Sequence, residues 1–335
     1  MTGARVGIVV IGRNEGERFR ACLDSLPAGL PVVYVDSGST DGSVALAQSR
    51  GVHVVELPVT PGFTAARARN AGFDLLLRDY GDIEFVQMID GDCTVDHGWL
   101  DAAVPFLAED ERLAVVFGRR RERFPHNSLY NAQCDQEWDV PVGEVRSCGG
   151  DALMRVAALR EVDGYTADLI AGEEPDLCLR LRARGWHIRR INAEMTLHDA
   201  NILRFGIWWK RAKRAGHAYA EHVWRHGRSA DPDWIRALAS MLVWAVLLPG
   251  LAVFALVVGL AWSMCWFVVP AMIIALAAVQ YGRLVRQGLS KGHVSRYARG
   301  NARLLLIAKF AHLAGMLAFL ANHARRKRHT LIEYK

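Results

Sequence analysis

Two regimes of hydrophobic patterning divide the chain. Over roughly the first 200 residues, short apolar runs alternate with amphipathic stretches. VGIVVI (6–11), PVVYV (31–35), VHVVEL (52–57), EFVQMI (84–89) and LAVVF (113–117) are too short for helices and rich in β-branched residues, so they predict strands. Between the first two, EGERFRACLDSL (15–26) sets Phe19, Cys22, Leu23 and Leu26 on one helical face. Further helices are predicted over about 42–50 and 64–78, and over 175–185 with Gly185 as its stop. Such alternation predicts an α/β layered fold.

From Ala237 to Gly282 the pattern changes: 46 residues pass without Asp, Glu, Lys, Arg or His. As a single helix this run would measure roughly 69 Å, against about 30 Å of bilayer hydrocarbon. It therefore predicts two transmembrane helices, about 237–259 and 262–282, joined by a short hairpin near Gly259–Ser263. A third apolar stretch, LLLIAKFAHLAGMLAFL (304–320), carries Lys309 and His312, and Asn322, His323 and Arg326 continue its polar stripe. That stripe predicts an amphipathic helix over about 296–325 lying in the membrane interface. The implied organisation is a cytosolic domain over 1–225, with halves of about 1–120 and 121–225, and a membrane region over 226–335.

The net charge of +6 sharpens this picture because of where it sits. Arg204, Lys210, Arg211, Lys213 and Arg214 precede the apolar pair; Arg283, Arg286, Lys291, Arg296, Arg299 and Arg303 follow it, and Arg325–Arg328 is a basic run. Basic flanks mark the cytoplasmic side. Both outer ends of the hairpin, the N-terminal domain and the C-terminus are expected to face the cytoplasm from a multi-pass position in the inner membrane. Clusters that hug apolar segments suit anionic lipid head groups, and no nucleic-acid partner is expected. The first apolar run is too short for a signal peptide's core. The six cysteines show no paired spacing, which predicts reduced thiols.

The candidate chemistry collects at strand ends. Arg13-Asn14-Glu15, Asp36 to Asp41 and Asp90-Gly91-Asp92 each follow a predicted strand, and ligands bind beyond that edge in open parallel α/β sheets. No GxGxxG and no GxxxxGK[ST] is present, which argues against a dinucleotide fold and a P-loop. Two carboxylates one residue apart suit a hard divalent cation, Mg²⁺ or Mn²⁺.

RNEG, VDSGSTDGS (35–43), FTAARARNAGFD (63–74), MIDGDC (88–93), SCGGDALMRVAALREVDGY (147–165), AGEEPDLCLRLRARGW (171–186) and AEMTLHDA (193–200) together resemble family 2 glycosyltransferases, in the same order and over roughly residues 6–215. TLIEYK (330–335) is similar to a membrane-associated bacterial subgroup. The resemblance implies a GT-A fold, a Rossmann-like mixed sheet with flanking helices, here followed by a helical membrane region. It also implies a nucleotide-sugar donor and a divalent metal. By position, Asp36 meets the nucleoside, with Ser37 where many relatives carry a second acid. Asn14 and Glu15 belong to the nucleotide edge, Arg69 and Asn70 to the helix facing the nucleotide, and Arg69 is suited to neutralise diphosphate. Asp90 and Asp92 match the metal-binding DXD motif, and His198 lies near the metal. The base that deprotonates the acceptor is usually Asp; the matching residue here is Glu174, with Asp176 as the alternative. Pro175 puts Glu174 at a helix start, where the dipole is expected to lower its pKa.

The reaction implied is inverting, metal-dependent transfer of a sugar, most simply from a UDP-sugar, to a lipid-linked saccharide in cell-surface polysaccharide assembly. The alternatives are transfer to polyprenyl phosphate, or a non-catalytic membrane scaffold with a degenerate sugar-nucleotide site.

Overall fold

A computed structural model describes residues 5–325 except 59 and 61; most of the Arg325–Arg328 run and the TLIEYK segment lie outside the described residues. The chain forms two compact units, one reaching to Ile202 and one starting at Leu203.

In the first unit the order is β1 (Val6–Gly12), α1 (Glu17–Asp24), β2 (Val32–Asp36), α2 (Ser43–Ser49), β3 (His53–Glu56), α3 (Ala65–Asp79), β4 (Phe85–Asp90), β5 (Cys93–Val95), α4 (Trp99–Glu109), β6 (Leu113–Glu122), α5 (Leu129–Glu137), β7 (Gly143–Glu144), β8 (Ala152–Arg155), α6 (Val156–Glu161), α7 (Glu173–Ala183) and β9 (His187–His198). Among the described residues the strands form one sheet in the order β3-β2-β1-β4-β8-β6-β9-β5, with β7 on β9. The first four are parallel, whereas β8 runs antiparallel to both β4 and β6, so the sheet is mixed. Val6 to Ile11 of the central strand β1 are buried throughout. A strand covered on both faces gains from every apolar side chain, which is why its sequence is a continuous run and not an alternation.

Register carries the polar strand ends to one place. Gly12 pairs with Asp36 on one side of β1, and Ile11 with Asp90 on the other. Beyond β4, Met88 pairs with Ala152, so the neighbouring Asp151 accepts the Asp90 N–H at 2.9 Å. At the far side, His198 closes β9 between Cys93 of β5 and Glu122 of β6. β6 runs on past the predicted LAVVF through Gly-Arg-Arg-Arg-Glu, with register shifts on either side of Arg119. Such shifts re-aim side chains. Because these β6 positions carry charge and not apolar side chains, hydrophobic periodicity did not extend the strand over them.

The second unit contains α8 (Phe205–His226), α9 (Pro232–Leu242), which continues through a π-helical turn into α10 (Leu248–Ala261), then α11 (Val268–Ser290) and α12 (Ser295–Ala324). Among the described residues three helical stretches are long and apolar enough to cross a membrane: Pro232–Ala261, Met264–Ser290 and Ser295–Ala324. The first two are separated by a break at residues 262–263. α8 falls within the residues expected to close the N-terminal domain at 225, yet it packs within the second unit against α12. A Cβ at Gly216 would run into the backbone of His312, and one at Gly315 into Lys213 and His217. Two glycines thus let the helix backbones touch. Further along, His217 meets Phe319 and Trp224 meets His323, at ring separations of 5.4 and 4.7 Å. The contacts advance together along both helices, so α8 and α12 run side by side in the same direction.

Candidate active site

Asp90, the last residue of β4, has both carboxylate oxygens engaged. Oδ1 accepts from Arg69 at 2.8 Å and Oδ2 from Arg120 at 3.3 Å. Arg69 comes from α3, whose start is capped by Thr64 accepting the Arg67 N–H. The guanidinium is buried and also reaches Glu173 at 3.1 Å and Glu174 at 2.9 Å on the first turn of α7. Its charge centre lies 5.5 Å from the Tyr165 ring. Gly150 makes the approach possible, since a Cβ there would stand 2.6 Å from Arg69 Nη2 and 2.8 Å from Asp90 Oδ2. Arg69 is therefore not a solvated surface arginine: it clamps three carboxylates. Removing the cation from such a cluster leaves buried charge uncompensated, at a cost of about 3–5 kcal/mol. Arg69→Met is accordingly expected to lower the unfolding midpoint by roughly 10 °C. Differential scanning fluorimetry checks this, and an unchanged midpoint would refute the clamp.

Glu174 differs from the helix-dipole expectation. Its pKa is raised to about 7, by burial first and then by the neighbouring Glu173 charge, against the opposing pull of Arg69. Desolvation and like charge outweigh the helix N-terminus and the salt bridge. Asp176 points elsewhere: its Oδ2 accepts from Thr166 Oγ1 at 2.6 Å and from Arg180 Nε at 3.0 Å, tying α7 to the preceding loop.

A second cluster lies at the β5–β9–β6 junction. Asp92, Cys93 and His198 have ligand-type atoms within 4.8 Å of one another, and so do Asp90, Cys93 and Asp151. Asp92 Oδ2 is 3.3 Å from His198 Nε2, and Glu122 Oε2 is 3.6 Å from His198 Nδ1. Burial, reinforced by the positive Arg120, lowers the His198 pKa and favours the neutral imidazole. Trp138 packs edge-on against this ring at 4.8 Å and receives the Arg120 guanidinium over its face, also at 4.8 Å. Adjacent ligands of an octahedral divalent ion stand ~3 Å apart, so the Asp92–His198 spacing fits one. Asp90 is shared, held by the two arginines yet grouped with Cys93 and Asp151, whereas Asp92 stands with His198.

The remaining sequence candidates line the edge or brace it. Asn14 Oδ1 accepts the Thr40 N–H at 2.7 Å and its own N–H donates to Ser39 Oγ at 2.9 Å, joining the β1 and β2 loops. Glu15 pairs with Arg18 at 2.8 Å. Asp36 spends its oxygens locally, on the Gly38 and Ser39 N–H groups and the Tyr34 hydroxyl, each at 2.8 Å. Burial and the Asp36 charge keep that hydroxyl protonated. Asn70 holds the Tyr165 backbone through both C=O and N–H, at 2.7 and 2.9 Å. Asp151, Arg120, Glu122, Glu173 and Trp138 were not singled out from sequence. The Gly149-Gly150-Asp151 turn and the unusual charge of the RRRE run were the available signals.

Fold and site together define a GT-A-like mixed sheet with acids gathered at its C-terminal edge. The sequence matches the family described as Glycosyl transferase family 2 over residues 7–146. An uncharacterized glycosyltransferase of Mycobacterium bovis is 30% identical over 192 residues, 56% of this chain and 84% of that protein. The chain belongs to glycosyltransferase family 2. It is also 26% identical over 257 residues to a pre-mycofactocin glycosyltransferase of Mycobacterium tuberculosis, covering 72% of this chain and 52% of the relative, so it spans about half that protein's length. A mannosyltransferase from Pyrobaculum calidifontis, solved in complex with GDP-Man and Mn²⁺, shares the fold with a TM-score of 0.58 at 19% identity, over 95% of this chain and 88% of that one.

Proposed function

We propose that this protein is an inverting, divalent-metal-dependent glycosyltransferase that moves a sugar from a nucleotide-diphosphate donor to a lipid-linked saccharide in cell-surface polysaccharide assembly. The observation that carries the reading is the adjacency of two chemically different clusters: a buried histidine and carboxylate pair 3.3 Å apart, suited to a cation, and the buried Glu174, held by Arg69 at 2.9 Å in the group that also holds Asp90. Asp92 and His198 would hold Mg²⁺ or Mn²⁺, which when bound stabilises negative charge on a departing diphosphate. Glu174 takes the proton of the acceptor hydroxyl, in the deprotonation that inversion requires. Arg69 keeps the carboxylates of Asp90 and Glu174 close together. A nucleotide-sugar donor and Mn²⁺ are also what the P. calidifontis protein was solved with.

The donor half is tested by calorimetry on the full chain in detergent, titrating UDP and GDP with and without Mn²⁺. Metal-dependent binding of UDP is expected; binding of neither nucleotide would reduce the protein to a scaffold. The acceptor half is tested by offering a polyprenyl-diphosphate-linked saccharide, polyprenyl phosphate and a soluble saccharide in parallel. Transfer to the soluble compound alone would defeat the lipid-linked acceptor.

The membrane reading is two spans, α9–α10 and α11, with α12 in the cytoplasmic interface. Its support is the partner of α12: α8 runs beside it carrying Lys210, Arg211, Lys213, Arg214 and Arg225. A spanning α12 would draw these charges toward hydrocarbon, where each is costly. A cysteine placed at His323 should therefore react with an impermeant maleimide only in inside-out vesicles. The natural exposed Cys265, at the hairpin turn, should react only in right-side-out ones. Both sites reacting from the same side would establish a third span.

A further inference from the structure

The geometry points to Glu122 as the residue that positions His198: its buried carboxylate fixes the ring and its tautomer so that Nε2 presents a lone pair to a divalent cation shared with Asp92. This rests on the metal-dependent reading above. Strand register sets it up, because Glu122 of β6 lies directly opposite His198 of β9. The Glu122 side chain has no exposure to solvent. Oε1 accepts from the Phe124 N–H and from Asn131 Nδ2, both at 3.1 Å, and Oε2 accepts from the Ala200 N–H at 2.9 Å. Asn131 is itself held, its Oδ1 accepting the Ile202 N–H at 2.9 Å. Three donors thus converge on the one carboxylate and fix its place behind the ring.

Glu122 Oε2 stands 3.6 Å from Nδ1, just beyond hydrogen-bond range, and as an acceptor behind that nitrogen it favours the tautomer with the proton there. In the neutral ring, Nε2 is then itself an acceptor, and it faces the carboxylate oxygen of Asp92 at 3.3 Å. Two acceptors aimed at each other in a buried site are stable when a cation lies between them. Trp138, edge-on at 4.8 Å, restrains rotation of the same ring. A carboxylate behind a metal-binding histidine typically contributes a factor of about 10–100 in metal affinity. The purely structural alternative is that Glu122 only satisfies the backbone of the 122–124 and 200–202 turns.

The test is Mn²⁺ binding to the full chain in detergent, followed by electron paramagnetic resonance of the free ion, for the wild type and Glu122→Gln. Mn²⁺ affinity is expected to fall about 10–100-fold in the variant, while its circular-dichroism spectrum is unchanged. Equal Mn²⁺ affinity in both proteins overturns the role of Glu122 alone. Failure of the wild type to bind Mn²⁺ overturns the metal-dependent reading itself. Should the variant not fold, ¹⁵N shifts of the His198 ring in the unmodified protein decide, assigned against His198→Gln. Nδ1–H with an unprotonated Nε2 in the presence of Mg²⁺ supports the inference, and the opposite tautomer or a persistent imidazolium overturns it.

Discussion

Glu174→Gln is expected to lower kcat by about 10²–10⁴-fold, the range of a positioned general base, while leaving metal-dependent nucleotide binding intact. The amide still accepts from Arg69, so the clamp survives while the proton acceptor is lost. The wild-type pH profile supplies an independent check. Only the carboxylate accepts a proton, so kcat/KM should rise with pH and level off above an apparent pKa of about 7 on the acid side. That quantity reports the free enzyme, the state to which the shifted pKa belongs. In Glu174→Asp the limb should persist with reduced kcat, since the carboxylate remains but lies one methylene short. An unperturbed kcat in Glu174→Gln would refute the assignment. Asp176→Asn is the companion experiment: with its partners Thr166 and Arg180 part of the α7 packing, it should lower stability and not kcat.

Asp92→Ala should reduce kcat/KM by about 10³-fold, since metal stabilisation of a leaving group contributes several kcal/mol and each 1.36 kcal/mol is tenfold. The same change should abolish the difference between nucleotide binding with and without Mn²⁺. Asp90→Ala is expected to behave differently, because Asp90 is held by Arg69 and Arg120. Its loss strips the arginines of a shared partner and should appear first as a lower unfolding temperature. Steady-state kinetics, calorimetry and thermal unfolding on the two variants separate these roles. Turnover preserved in Asp92→Ala would return the motif to a turn between β4 and β5.

The contrast between these neighbouring acids marks how far the sequence carries. Strands β1 to β4, the apolar pair and the acids at strand ends were legible because each depends on local information: the period of the side chains, the length of a run, the chemistry of a residue beside a turn. The family resemblance added the order of roles along the chain only where motifs match. The segment before TLHDA reads as strand-like, but the full length of β9 was hidden because HIRRINAEMTLH mixes charged and apolar residues on a strand bordered by β5, β6 and β7, so its hydrophobic signal is weak.

The sequence by itself determined an α/β domain followed by membrane-competent helices, and it located Asp90, Asp92, Glu174 and His198 as the residues to watch. Tertiary structure alone decided their company. Parallel and antiparallel pairings bring residues scores of positions apart into register, putting Glu122 behind His198 and Asp151 under Asp90. Burial then decided their charge: one guanidinium, enclosed with Asp90, Glu173 and Glu174, sets the field in which Glu174 titrates near neutrality. Neither register nor desolvation is a property of a local stretch of sequence, because both arise from chain segments that meet only on folding.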